Sequence, residues 1–288
     1  MVPQEVANYV MPVSQNAPVP AVSGSDTVDA IVAASKRPRF FVFRSSFLQR
    51  TENEKSVGGP LAPLVTAGDH RALLLYLLLL TKASADPWDA ALPATVWARA
   101  LDLPLPESKT ARSTISKAWM RLERRKLVTR RRTKRWADVF LLCEDGSGAP
   151  YTHPAEAGDR FVRMPLAFWR QGPDAATRWY QTLSLPELAV LLIGRSLSDG
   201  FWFPYERASE WYSISSDTIS RGIDGLAKRG LIRVDKTYKQ APLSAVGYTA
   251  EHHYTLLEPF GPVGHRGGSR ALAAKPPAKA ELSKAGGK

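Results

Sequence analysis

The amino-acid sequence predicts a mainly α-helical protein with small β-ribbons, an α+β chain whose two similar halves lie in tandem between disordered ends. Three observations carry this reading. A sixteen-residue segment recurs 104 positions further on, apolar residues are spaced for one-sided helices, and breaks in composition delimit the halves.

At 288 residues the chain is long enough for two domains, each with its own core. Residues 1–35 are rich in Pro, Ser, Ala and Val without a sustained period and read as a disordered arm. A first domain is expected over 36–143 and a second over 159–260. Between them, 144–158 opens with Glu144-Asp145-Gly146-Ser147-Gly148-Ala149-Pro150 and reads as a linker. Residues 261–288, with Gly267-Gly268, Pro276-Pro277 and spaced lysines, cannot bury enough apolar surface to offset the entropy of ordering them. They are expected to form a basic disordered tail.

The repeat aligns Thr114–Thr129 with Thr218–Arg233 without a gap. Thr, Ile, Ser, Leu, Arg and Leu recur in place, and Lys117/Arg221 and Val128/Ile232 match in kind. Upstream, each half carries an apolar helix, over 70–82 and 186–197. Each half also opens on a strand-like stretch, 39–44 and 160–165. The shared order of elements points to duplication.

In the second half, Pro186 and Glu187 mark a helix start, and Leu188, Leu191 and Leu192 supply its stripe. A second helix is expected over 204–211, and Tyr212-Ser213-Ile214 makes a turn. Ser215 is placed to cap a third helix, in which Ile219, Ile223 and Leu226 recur at i, i+4 and i+7 and face inward. Ser216, Ser220 and Arg221 face outward, and Gly230 closes the helix. Strands follow at 231–234 and 254–257, with a long polar tip between them that contains Lys236, Tyr238 and Lys239.

Helix, helix, tight turn, helix and ribbon is the order of a winged helix. The run from Ile214 to Ile232 resembles the recognition-helix signature of winged-helix transcription regulators of the GntR and MarR type. The resemblance covers roughly sixty residues. It implies DNA contacts from Ser215, Ser216, Ser220 and Arg221, to which Lys236 and Lys239 on the ribbon are added. The resemblance does not extend to an effector domain of the GntR type, so small-molecule regulation is not expected. Two unequal winged helices in one chain also resemble the architecture of plasmid replication initiators.

The first half repeats the scheme, with helices over 93–103 and 109–126 and ribbon strands at 127–130 and 137–142. Ile115, Trp119 and Leu122 face inward; Arg112, Ser116, Lys117, Arg121 and Arg124 face outward. Between Glu107 and Asp138, twelve basic residues stand against three acidic ones, a net +9 in a chain whose total is +12. Most of the excess charge thus falls on the two elements that a winged helix offers to DNA. The expected contact set is Lys109, Thr110, Arg112, Ser113, Ser116, Lys117 and Arg121 on the helix. Arg130, Arg131, Arg132, Lys134 and Arg135 on the wing complete it. Arg112 is the side chain best suited to bidentate contact with guanine, and the wing suits phosphates or the minor groove.

Other chemistry finds little support. Cys143 is the one cysteine, which leaves no internal disulfide and suits a reducing cytoplasm near the nucleoid. No phosphate-binding Gly-x4-Gly-Lys loop, His-Glu-x-x-His motif or nucleophile elbow occurs. His252 and His253 are neighbours on a strand, so their rings point to opposite faces and cannot share a metal. The eight tryptophans suit packing rather than base stacking. The longest apolar run, 72–80, covers about half a bilayer core. The expectation is a non-enzymatic, cofactor-free binder of double-stranded DNA. The first reading is a transcriptional regulator; a plasmid or phage replication initiator or segregation protein is the alternative. In a third reading one winged helix serves protein interaction. A homodimer or other replication or transcription proteins would be further partners, and no membrane is involved.

Overall fold

The computed structural model describes residues 21–132, 136–203 and 205–261. The first half contains α1 (Gly24–Ala33), β1 (Phe40–Arg44), a 3-10 turn at Ser45–Phe47, β2 (Gln49–Glu52), β3 (Lys55–Gly58) and α2 (Leu61–Thr66). It continues with α3 (His70–Lys82), β4 (Asp89–Ala91), α4 (Ala94–Ala100), α5 (Lys109–Arg124), β5 (Val128–Arg131) and β6 (Asp138–Leu141). The second half contains β7 (Phe161–Pro165), α6 (Ala167–Arg170), α7 (Trp179–Thr182), α8 (Leu185–Ser196), β8 (Phe201–Trp202), α9 (Tyr205–Tyr212), α10 (Ser216–Lys228), β9 (Ile232–Gln240) and β10 (Tyr248–Leu256).

One order of elements occurs twice: helix, short strand, two helices, hairpin. The short strand, which was not expected from sequence, pairs with the last strand of its half, giving sheet orders β4-β6-β5 and β8-β10-β9. The duplication extends to individual hydrogen bonds. Leu127 N–H donates to Leu122 O at 3.1 Å, and Leu231 N–H to Leu226 O at 2.9 Å. Lys126 (φ 55°) and Gly230 (φ 68°) occupy the same left-handed position after the helix. The recurring arginine is explained by the fold. Arg125 pairs with Asp69 (2.9 Å) just before α3, and Arg229 pairs with Glu187 (2.7 Å) in the first turn of α8. In both halves it ties the end of the third helix to the start of the first.

Glu187 also accepts from the Ser184 N–H at 2.6 Å, closing a capping box. Burial raises its pKa, but the bonds from Arg229 and Ser184 prevail and hold the carboxyl below its ordinary value. Replacing Glu187 with alanine is therefore expected to cost about 1–2 kcal/mol at neutral pH, since both partners keep some access to water. A depressed folded pKa stabilises above the ordinary value of 4.5 and ceases to do so as pH falls through the folded value. The difference between the variant and the parent should shrink below about pH 4.5, and urea unfolding across pH measures it.

The halves do not stand apart as two domains. The two similar opening strands pair with each other, β1 antiparallel to β7 with Val42 opposite Arg163, and one hydrophobic core runs through both halves. Trp169 Nε1 donates to Thr81 Oγ1 at 2.9 Å, Arg178 pairs with Asp29 at 3.0 Å, and Gly58 N–H donates to Ser213 Oγ at 3.1 Å. Trp97, Trp119, Trp169 and Trp179 are buried, in keeping with a packing role; Trp136 and Trp202 are more exposed.

Three further expectations are revised. Within the arm expected over 1–35, Ser23 and Asp26 form a capping box for α1, and Val28, Ile31 and Val32 are buried. Residues 1–20 lie outside the described residues. The segment expected as a linker carries buried Glu144 and Tyr151. Arg44, at the end of β1, binds Glu144, Asp159 (2.6 Å) and Thr152 O (2.8 Å), with Tyr151 stacked at 5.3 Å. Burial opposes the charge of Arg44, but Asp159 and Glu144 outweigh it and raise the guanidinium well above its ordinary pKa. Of the tail, Gly261 is buried, and its carbonyl and that of Phe260 each accept from Arg195 at 2.8 Å. Residues 262–288 lie outside the described residues.

Candidate nucleic-acid interface

Helix α5 is built to show one face. Ser108 caps it, its Oγ accepting from Ala111 N–H at 3.1 Å. Ala111, Ile115, Ala118, Trp119 and Leu122 are buried, Trp119 meeting Trp97 edge-on at 5.4 Å. The opposite stripe is exposed: Lys109, Arg112, Ser113, Ser116, Lys117 and Arg124, with Thr110 beside it. These positions recur at three- and four-residue steps, so their side chains stand along one line of the helix. No acidic side chain of α5 is exposed; its one carboxylate, Glu123, is half-buried and bound to Arg130 at 2.6 Å.

The short hairpin β5–β6 continues the charge. Arg131 and Arg132 are exposed, and the Arg131 guanidinium stacks on Phe140 at 5.2 Å, which keeps it extended along the strand. Lys134 and Arg135 lie outside the described residues.

Two members of the expected set are occupied elsewhere. Arg121 is half-buried and pairs with Asp69 at 2.7 Å, and Arg130 is taken by Glu123. A carboxylate within reach of each gives a stronger local partner than a distant phosphate. Lys126, absent from the expected set, is exposed at the left-handed position where the helix ends. The sequence signal for it was its alignment with Gly230. Seven described cations of this region are therefore exposed: Lys109, Arg112, Lys117, Arg124, Lys126, Arg131 and Arg132.

The equivalent surface of the second half differs in charge. Ser215 caps α10, its Oγ accepting from Thr218 N–H at 3.3 Å, and Ser216 is exposed beside it. Ser220 is half-buried, and Arg221 pairs with Asp217 at 2.9 Å on the exposed face. Asp217 and Asp224 balance Arg221 and Lys228 there, so the face has no net charge.

The second hairpin is much longer than expected. Lys236, Tyr238 and Lys239 lie within β9, and the connection between strands is only 241–247. Thr237, Tyr238, Tyr248 and Thr249 are good strand formers and prolong the ladder. Lys239 pairs with Glu251 at 2.8 Å, and Lys236 sits 5.3 Å over Tyr238.

His252 and His253 are consecutive on β10; His253 Nδ1 lies 3.3 Å from Gly200 O. No group of three or more His, Cys, Asp or Glu side chains that could hold a metal occurs among the described residues. Cys143 follows β6, half-buried, and burial raises its thiol pKa, which works against a reactive thiolate. Among the described residues no helix is long and apolar enough to cross a membrane. No protein-family model matches the chain, and neither curated proteins nor solved structures yield a match.

Proposed function

We propose that the chain is a non-enzymatic, double-stranded DNA-binding protein built from two winged helices. The observation that carries this reading is the exposed cationic stripe of α5, continued by Arg131 and Arg132 on its hairpin and free of exposed carboxylates on the helix. In this reading α5 enters the major groove, with Arg112 on a base edge and the remaining cations on phosphates. The short hairpin follows the adjacent backbone or minor groove. The first half is the principal reading head. The neutral face of α10 makes the second an auxiliary contact through Ser216, Ser220 and Arg221. A location with cellular DNA follows from the same reading.

Because β1–β7 pairing and a common core join the halves, the two heads are held at a fixed separation. Selection from a random duplex pool should therefore enrich one strong element. Any second element should lie at an invariant spacing from it. Enrichment of clustered copies near an origin would favour replication initiation or segregation, and a single operator beside a promoter would favour transcriptional regulation. Failure to enrich any sequence over the starting pool would contradict sequence-specific binding.

A further inference from the structure

Strand β9 is the outer strand of its sheet, since the order is β8-β10-β9, and Arg233–Gln240 are all exposed. Among the described residues no third strand lies beside the hairpin beyond Asp235↔His253, because β8 reaches only Tyr254 and His253. The projecting part also shows apolar surface. Tyr238 is 61% exposed, Val246 66% exposed and Leu243 fully so, while Tyr238 and Tyr248 meet edge-on at 5.3 Å. A two-stranded ribbon is marginal by itself, and an exposed edge strand is a template for another strand. Its charges suit DNA poorly, because Arg233, Lys236 and Lys239 are nearly matched by Asp235 and Glu251.

We propose that β9 pairs antiparallel with β9 of a second copy of this chain, about a two-fold axis through Thr237. Such an axis places opposite residues on the same sheet face, and pairing of opposite charges across the seam then favours one register. Centring on Tyr238 brings no like charges together but leaves Asp235 opposite Ala241. Centred on Thr237, Asp235 faces Lys239 of the second copy, and Lys236 faces Tyr238, each contact occurring twice. Asp235 already pairs with Arg233 at 3.0 Å in its own strand and Lys239 with Glu251 at 2.8 Å, so each ion joins an exposed network. Centred on Asp235, two carboxylates meet. Centred on Lys236, two lysines meet and Arg233 faces Lys239. Centring on Val234 pairs Arg233 with Asp235 but leaves Tyr238 and the tip uncovered. The Thr237 register instead carries the tip, with Leu243 and Val246, toward the exposed Arg229–Gly230 turn of the other copy. This pairing goes beyond the DNA reading and does not depend on it.

Disulfide trapping of the full chain tests the register. With Cys143→Ser as background, Thr237→Cys should cross-link readily under mild oxidation, because opposite residues at the axis lie within disulfide reach. Ala250→Cys, on the inner strand β10, should not. By sedimentation equilibrium, Asp235→Lys should weaken the dimer about tenfold by creating two like-charge contacts, and Lys239→Asp should do the same. Combining Asp235→Lys with Lys239→Asp should restore it. Equal cross-linking at both positions, indifference to Asp235→Lys, or no recovery in the double variant would overturn the proposal. A parent chain that stays monomeric while these substitutions alter duplex affinity would also overturn it, and would make the ribbon a DNA-contacting arm.

Discussion

Replacing Arg44 with methionine is expected to lower the unfolding free energy by about 3–5 kcal/mol. The carboxylate of Glu144 has no solvent exposure, and the Arg44 side chain only 4%. Removing the guanidinium leaves that buried carboxylate without its cation, holding only the Arg44 backbone N–H at 3.2 Å, and also frees Thr152 O from its partner. Asp159, 45% exposed, turns to water and adds little. Adding Glu144→Met should recover most of the loss, because a buried ion pair replaced as a unit by apolar groups is often close to neutral. Arg44 also ends the strand that pairs with β7, so both halves should lose stability in a single transition, seen alike by tryptophan fluorescence and far-UV circular dichroism. Two separated transitions would contradict the single shared core.

The second large effect concerns α5. Replacing Arg112 and Lys117 together with alanine is expected to weaken duplex binding about 30-fold or more at near-physiological salt, from one base-edge contact and one phosphate contact. Both side chains are exposed, so the folded chain should keep its stability. Replacing Ser220 and Arg221 should weaken binding by less than about fivefold, since Arg221 is already engaged by Asp217. Fluorescence anisotropy with a selected duplex compares the two pairs. Equal losses would make the halves equivalent readers.

What was legible in the sequence was local. The ends of α10 were legible from a capping serine, Ser215, an apolar period and a closing Gly230. The repeat carried the apolar period into α5, whose cap, Ser108, lies outside the aligned segment and was not read. The exposed cations were legible for the same reason, because helical spacing separates Arg112 and Lys117 from Ile115 and Trp119. Long-range partners were not. Nothing in 39–44 and 160–165 indicated that two similar strands would pair with each other, nor that Arg44 would meet an acid 100 positions away. The same blindness left Arg121 and Arg130 in the expected contact set, since Asp69 precedes a different helix and the turn that brings Glu123, in the preceding helix, onto Arg130 has no periodic signal. Strand β8 escaped notice because a two-residue strand has no period to read. The length of the second hairpin was missed because Lys236 and Lys239 resemble a loop until their cross-strand neighbours are known.

The most direct test of the account is the dependence of duplex affinity on salt. With at least five exposed cations of α5 and its hairpin displacing counterions, log affinity should fall against log salt with a slope steeper than about −4 between about 0.05 and 0.2 M. The Arg112→Ala/Lys117→Ala chain should lie about one unit shallower, because Lys117 is the member of the pair placed on a phosphate. A parent slope shallower than about −1, or no difference between the two chains, would contradict a duplex-binding role for this face.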